Sequence, residues 1–146
     1  MDVRRAHRPV VVGVDGSGSG YRAVEWAAAE AARRRVALRL VRGFSWTTAE
    51  HPARDGSRVA HYRDQLLKIA RHQVARAERV AAHVRPEVET TTEVEIGAPL
   101  EVLGSESRRA QLLVLGDRGL GGFAGLVLGS VAVGLAAHGG CPVVIV

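Results

Sequence analysis

Short apolar runs alternate along this chain with longer segments whose apolar positions recur every three or four residues. Pro9 to Asp15 (Pro-Val-Val-Val-Gly-Val-Asp) is a continuous apolar run closed by an acid and predicts a buried strand. Gly16 to Gly20 (Gly-Ser-Gly-Ser-Gly) predicts a turn whose hydroxyls can cap a helix, by Ser17 or Ser19. Val24, Ala27, Ala28 and Ala31 then set a helix over Tyr21 to about Arg34, and Val36 to Phe44 reads as a second strand. Residues 45–57 are polar and turn-rich, hence a loop. Leu66, Ala70, Val74 (or Gln73), Ala77, Ala81 and Val84 mark a long amphipathic helix that ends before Pro86. Thr90 to Ile96, rich in β-branched residues, predicts a third strand. Gly97-Ala98-Pro99 opens a short helix with proline in its first turn, weakened by Gly104. Gln111 to Gly116 is the fourth predicted strand, Ser130 to His138 the last helix and Pro142 to Val146 the fifth strand.

Strands alternating with helices make this an α/β chain, a parallel sheet covered on both faces. At 146 residues, with no internal repeat, residues 1–146 are expected to form one domain. Ligands of such sheets lie outside the carboxyl ends of the strands, where the winding direction reverses. Two strands end in chemistry suited to that place. The first runs into Gly13-Val14-Asp15, and the fourth into the glycine-rich stretch from Gly116 to Ser130.

Composition narrows the function classes. The lone cysteine, Cys141, excludes an intramolecular disulfide and, beside Pro142 and an apolar run, reads as a small buried residue. The first nine residues have no apolar core of the kind a signal peptide needs, and no run approaches the length of a spanning helix, so a cytoplasmic location without membrane contact is expected. The net charge of +5 raises the question of nucleic acid. However, Lys68 is the only lysine, the arginines are scattered, and the one dense run, Arg33-Arg34-Arg35, falls at a predicted helix end where cations suit the dipole. No specific nucleic-acid groove is expected.

The stretch Gly116-Asp117-Arg118-Gly119-Leu120-Gly121-Gly122-Phe123-Ala124-Gly125-Leu126-Val127-Leu128-Gly129-Ser130 carries the most chemistry. Glycines let main-chain N–H groups converge on one object, and a loop between a strand and a helix N-terminus holds phosphates. It is not a Walker A loop, because no lysine follows residue 68. Gly119-Leu120-Gly121-Gly122-Phe123-Ala124 fits a dinucleotide fingerprint, yet no acid follows Asp117 to take a ribose. What remains is Gly116-x-x-Gly119, nine residues, then Gly129-Ser130.

That spacing resembles the nucleotide motif of the universal stress protein family, in its ATP-binding branch. The resemblance covers the whole chain: the opening Val-Gly-Val-Asp-Gly-Ser, Trp26-Ala27 on the first helix, the loop, and the closing His138-Gly-Gly-Cys141-Pro142-Val143. It implies a Rossmann-like five-stranded parallel sheet of order 3-2-1-4-5, and a homodimer through the C-terminal strand Pro142–Val146. It also implies ATP, or ADP or AMP, as ligand. Asp15 would bond the adenine or ribose end and Val41 would flank the base. Gly116 and Gly119 would lie against ribose and phosphates, and Gly129, Ser130 and Val131 would bind phosphates. With Gly13, Asp117, Arg118, Gly121 and Gly122 these form the candidate ligand-binding set. Two positions depart from the family's pattern. Gly20 stands where relatives often have serine, and Asp117 where they often have a small polar residue. A carboxylate beside a triphosphate costs of order 1 kcal/mol unless Mg²⁺ or Mn²⁺ bridges the two, or Arg118 offsets it.

Ser130 has no His/Asp pairing that would make it a nucleophile, so its hydroxyl is read as a phosphate ligand. His138 reads as a helix-end cation, and the other histidines show no metal spacing. The expected function is an ATP-binding regulatory module of stress response, with at most weak ATPase activity. The alternatives are a slow hydrolase or phosphotransferase, or an interaction protein of the branch that does not bind ATP.

Overall fold

The computed structural model describes residues 3–45, 56–118 and 129–146. Its strands are β1 (Val10–Gly13), β2 (Leu38–Phe44), β3 (Thr90–Ile96), β4 (Leu112–Leu115) and β5 (Val143–Ile145). The helices are α1 (Val3–Ala6), α2 (Gly18–Arg34), α3 (Gly56–Val84), α4 (Pro99–Ser107) and α5 (Ser130–His138). The strands form one parallel sheet of order β3-β2-β1-β4-β5, with Val10 facing Leu38 on one side and Leu112 on the other. Winding runs outward from β1 to β3 and then reverses to β4 and β5. The reversal therefore falls between β1 and β4, the two strands whose ends carry the candidate chemistry.

Each face of the sheet has its own core. Val10, Val12, Val14, Leu38, Leu40, Leu112 and Val114 pack under α2 and α3, while Val11, Val41, Leu113 and Leu115 pack under α4 and α5. The inner face of α2 is mostly small (Ala23, Ala27, Ala28, Ala31, with Val24), and all five are fully buried. Alanine combines high helix propensity with close approach of the helix axis to the sheet. In α4, Ala98 precedes Pro99 at the first helical position, and Gly104 does not interrupt the helix. A Cβ at Gly104 would meet Leu135 at 4.0 Å, ordinary contact, so α5 covers this turn without a gap.

The predicted and observed elements differ mainly at their ends. The second strand begins at Leu38, and α3 begins at Gly56, ahead of its apolar stripe. The short helix α1 has no apolar periodicity to announce it. Gln111 holds the segment that follows, donating from Nε2 to the carbonyls of Ala6 and Arg8. Most of the predicted loop over 45–57 lies outside the described residues.

Candidate functional site

Val14 keeps one sheet bond, donating its N–H to the Val41 carbonyl at 2.8 Å, and the chain then leaves β1. Asp15 Oδ1 accepts the Ser17 N–H at 2.9 Å and lies 2.6 Å from Ser17 Oγ, which donates to it. This carboxylate-closed turn is completed by Gly16, whose φ of +83° is a left-handed conformation that glycine adopts without strain. Ser17, in extended conformation, accepts the Gly20 N–H on its own Oγ at 3.0 Å and so is the N-cap of α2.

Ser19 has a different task. It is 6% exposed and reaches across to the exit of β4, donating from Oγ to Asp117 Oδ1 at 2.6 Å and accepting the Arg118 N–H at 3.3 Å. Asp117 is tied at both ends of its peptide unit. Its N–H donates to the Val146 carbonyl at 2.9 Å, and its carbonyl accepts from Gly129 N–H at 3.0 Å. The start of the glycine stretch is thus fastened to α2, to the end of β5 and to the entry of α5. Gly116 sits so close to α2 that a Cβ there would lie 2.8 Å from the Ser19 carbonyl carbon and 2.9 Å from Gly20 N.

The N-terminus of α5 faces the same place. Gly129 is its N-cap and, having no side chain, supplies no capping bond. The first-turn N–H groups from Ser130 onward are therefore available to an outside acceptor, with the positive end of the helix dipole behind them. The charges around the cleft are mixed. Ser19's hydrogen bond holds the Asp117 carboxyl below its ordinary range, with Arg118 and Arg22 adding to the effect. Burial pushes the Arg42 guanidinium down, and the nearby Asp15 carboxylate partly restores it. One end of this arrangement can receive an anion and the other, through Asp15, a hydroxyl or amine.

Of the predicted site residues, Asp15, Gly116, Asp117, Arg118, Gly129, Ser130 and Val131 come from the turn after β1, the exit of β4 and the entry of α5. Two others lie beneath that surface. Leucines fill the space beside Gly13, where a Cβ would stand 2.7 Å from Leu115 Cδ2 and 2.8 Å from Leu103 Cδ1. Val41 is 1% exposed, with its side chain in the core under α4 and α5. Gly119, Gly121 and Gly122 lie outside the described residues, as do Leu126, Val127 and Leu128. The sequence reading missed Arg42 and Gln73, which stand beside the Asp15 turn, and the crossing role of Ser19. The signal for Arg42 was a charged residue in phase with Leu38 and Leu40, on the strand face turned toward α2 and α3. No group of three or more His, Cys, Asp or Glu able to hold a metal occurs among the described residues. No helix among them is long and apolar enough to cross a membrane.

A family model described as the universal stress protein family matches residues 6–146. Universal stress protein Rv3134c of Mycobacterium tuberculosis is 37% identical over 146 residues, covering 100% of this chain and 51% of that protein. The chain thus spans about half the length of the curated relatives it matches. A crystal structure of a universal stress protein in complex with cAMP superposes with a TM-score of 0.67 at 27% identity, covering 96% of each chain. A universal stress protein from Archaeoglobus fulgidus in complex with dAMP has a TM-score of 0.71 at 20% identity, covering 96% of this chain and 98% of the other, and shares the fold.

Proposed function

We propose that this chain, which belongs to the universal stress protein family, is a regulatory module that binds an adenine nucleotide across the reversal point between β1 and β4. The observation that carries this reading is the hydrogen-bonded path from Gly129 through Asp117 to Ser19, joining an uncapped helix N-terminus to the turn that presents Asp15. A relative at 27% identity is a complex with cAMP, which supports an adenosine ligand bearing phosphate.

In this reading the Ser130 and Val131 N–H groups and the Ser130 hydroxyl take the phosphates, which suits the dipole of α5. Asp15 uses Oδ1 within its own turn and offers its second oxygen to the ribose or adenine edge. Gly116, with Gly119, Gly121 and Gly122, would line the ribose and phosphate path, and Val41, buried under α4 and α5, would support the base end from beneath without touching the base. Arg118 supplies a cation at the loop's entry. The donor set fits a nucleoside monophosphate without help. A triphosphate would approach the Asp117 carboxylate, whose free oxygen fits a phosphate-bound Mg²⁺ or Mn²⁺ as a hard oxygen ligand.

The assembly belongs to the same reading. Among the described residues β5 pairs only with β4, and its residues Val143, Val144 and Ile145 are all half-buried, an apolar edge suited to a second copy. A homodimer with two nucleotide sites would let occupancy alter a shared surface and so serve a stress signal.

Mass spectrometry of small molecules released from natively purified protein tests the ligand. AMP, ADP, ATP or cAMP at near-stoichiometric amount is expected, with rebinding to the emptied protein by calorimetry. Failure of all four to rebind would overturn the reading.

A further inference from the structure

Arg42 and Gln73 have no part in the scheme above, yet they touch it. Arg42 lies on the face of β2 that carries Leu38 and Leu40 into the core, a costly place for a cation without partners. It is held at two points, donating from Nε to Gln73 Oε1 at 3.1 Å and from Nη1 to the Gly43 carbonyl at 2.8 Å. Its charge faces Asp15, whose carboxylate offsets part of the cost of burying it. The carboxamide of Gln73 lies directly against Gly16. A Cβ on Gly16 would meet Gln73 Nε2 and stand 2.8 Å from its Cδ. A continuous path therefore runs from β2 through Arg42 and Gln73 of α3 to the left-handed glycine that follows Asp15.

We infer that Arg42 and Gln73 are positioning residues, which brace the Asp15–Gly16 turn against α3 and pass occupancy of that turn to the helix. The bracing stands on geometry alone, whereas the passing of occupancy rests on the nucleotide reading. Gln73 cannot shift without opening space under Gly16, and Arg42 fixes which way the Gln73 carboxamide points. A ligand that pulls on Asp15 consequently pulls on α3. A pair that merely filled space would change global stability and nothing local.

Hydrogen exchange read by NMR separates the two. In ligand-free protein, Gln73→Ala and Arg42→Met are expected to speed exchange of the Ser17 amide about tenfold while central-strand amides such as Val11 and Val114 change little. Arg42→Lys, which keeps the charge but not the two-point grip, is expected to behave like Arg42→Met and guards against a variant that fails to fold. Upon adding AMP, the wild type is expected to slow exchange around Gln73. The variants are expected to lose that response and bind AMP about five- to tenfold more weakly. Ser17 exchange that merely follows the central strands would overturn the bracing, and AMP binding without any change in α3 would overturn the coupling. Should the wild type bind none of AMP, ADP, ATP and cAMP while Gln73→Ala still frees Ser17, the nucleotide reading and the coupling both fall and the bracing stands.

Discussion

A methyl group added at Gly116 would press on the main chain of the first turn of α2, at 2.8 Å from the Ser19 carbonyl carbon and 2.9 Å from Gly20 N. Neither atom is the end of a flexible side chain, so relief requires β4 and α2 to part. Gly116→Ala is expected to cost about 2 kcal/mol, measured by urea denaturation; an unchanged midpoint would contradict the packing. Asp117 offers a test of charge. Its carboxyl sits below its ordinary range chiefly because Ser19 bonds the charged form, so it is ionised at neutral pH. Asp117→Asn retains an acceptor for Ser19 and removes the negative charge. Without divalent cation, ATP affinity is expected to rise about fivefold or more, with AMP affinity changing less. Equal changes for both ligands would place the phosphates elsewhere. Several candidate site residues stand out by type, since an acid at a strand end and a Gly-Ser before an apolar helix each have a physical purpose. Gln73 and Arg42 do not. Their contact crosses from one element to another over 31 positions, and helical periodicity alone offered Gln73 as an alternative to the core residue Val74.

Helix α2 and the pair formed by β2 and α4 carry testable polar devices. Helix α2 ends on Arg35, whose φ of 57° is left-handed while its N–H bonds the carbonyls of Ala31 and Ala32. Glycine occupies that position without penalty, so Arg35→Gly is expected to stabilise the protein by about 1 kcal/mol, seen as a higher melting temperature. On the other face, Arg39 of β2 grips Glu106 of α4 with Nε–Oε2 at 2.9 Å and Nη2–Oε1 at 3.0 Å, and Glu106 is 8% exposed. Glu106→Ala removes both of those bonds and leaves Arg39 only its longer pair with Glu93, at 3.6 Å, so it is expected to cost about 1–3 kcal/mol. Near the end of α2, the hydrogen bond from Arg33, with Arg34 beside it, lowers the Glu30 pKa from 4.5 to about 2. A folded-state pKa below the unfolded one stabilises above pH 4.5, and that contribution fades as pH falls toward 2. Arg33 is 69% exposed, so solvent screening limits the contribution to at most about 1 kcal/mol. Glu30→Gln is expected to be less stable than wild type at pH 7 and to converge with it near pH 2. The elements themselves were largely legible: β3 and α5 have their predicted bounds, because β-branched density and a Gly-Ser start are strong local signals. The start of α3 was not, because its first turns are polar and only continuity with the apolar stripe below extends the helix to Gly56.

At the scale of the whole molecule, alternating periodicities dictate a parallel sheet but leave the strand order open, since nothing local says on which side β4 joins. The order β3-β2-β1-β4-β5 came from the resemblance of spaced motifs, and the sheet has it. Assembly is likewise a property of the whole. Val146 N–H bonds Leu115, so the Ile145 N–H, one residue earlier, points to the open edge of β5. Ile145→Pro removes a donor that no described residue uses and is expected to give monomers by light scattering, where wild type is expected to give dimers. Persistence of the dimer would move the interface away from β5. The most direct measurement of the central claim is a titration of ¹⁵N-labelled protein with AMP, followed by amide shifts across the molecule, beside a Gly129→Glu variant. Gly129 has φ −69° and ψ 156°, a conformation any residue adopts, so the variant is expected to fold while placing a carboxylate at the entry of α5. In the wild type, shifts are expected to concentrate at residues 15–20, 116–118 and 129–131 and to saturate, and in Gly129→Glu they are expected to disappear. Saturating shifts centred elsewhere, or equal binding by Gly129→Glu, would contradict a nucleotide site at the meeting of β1, β4 and α5.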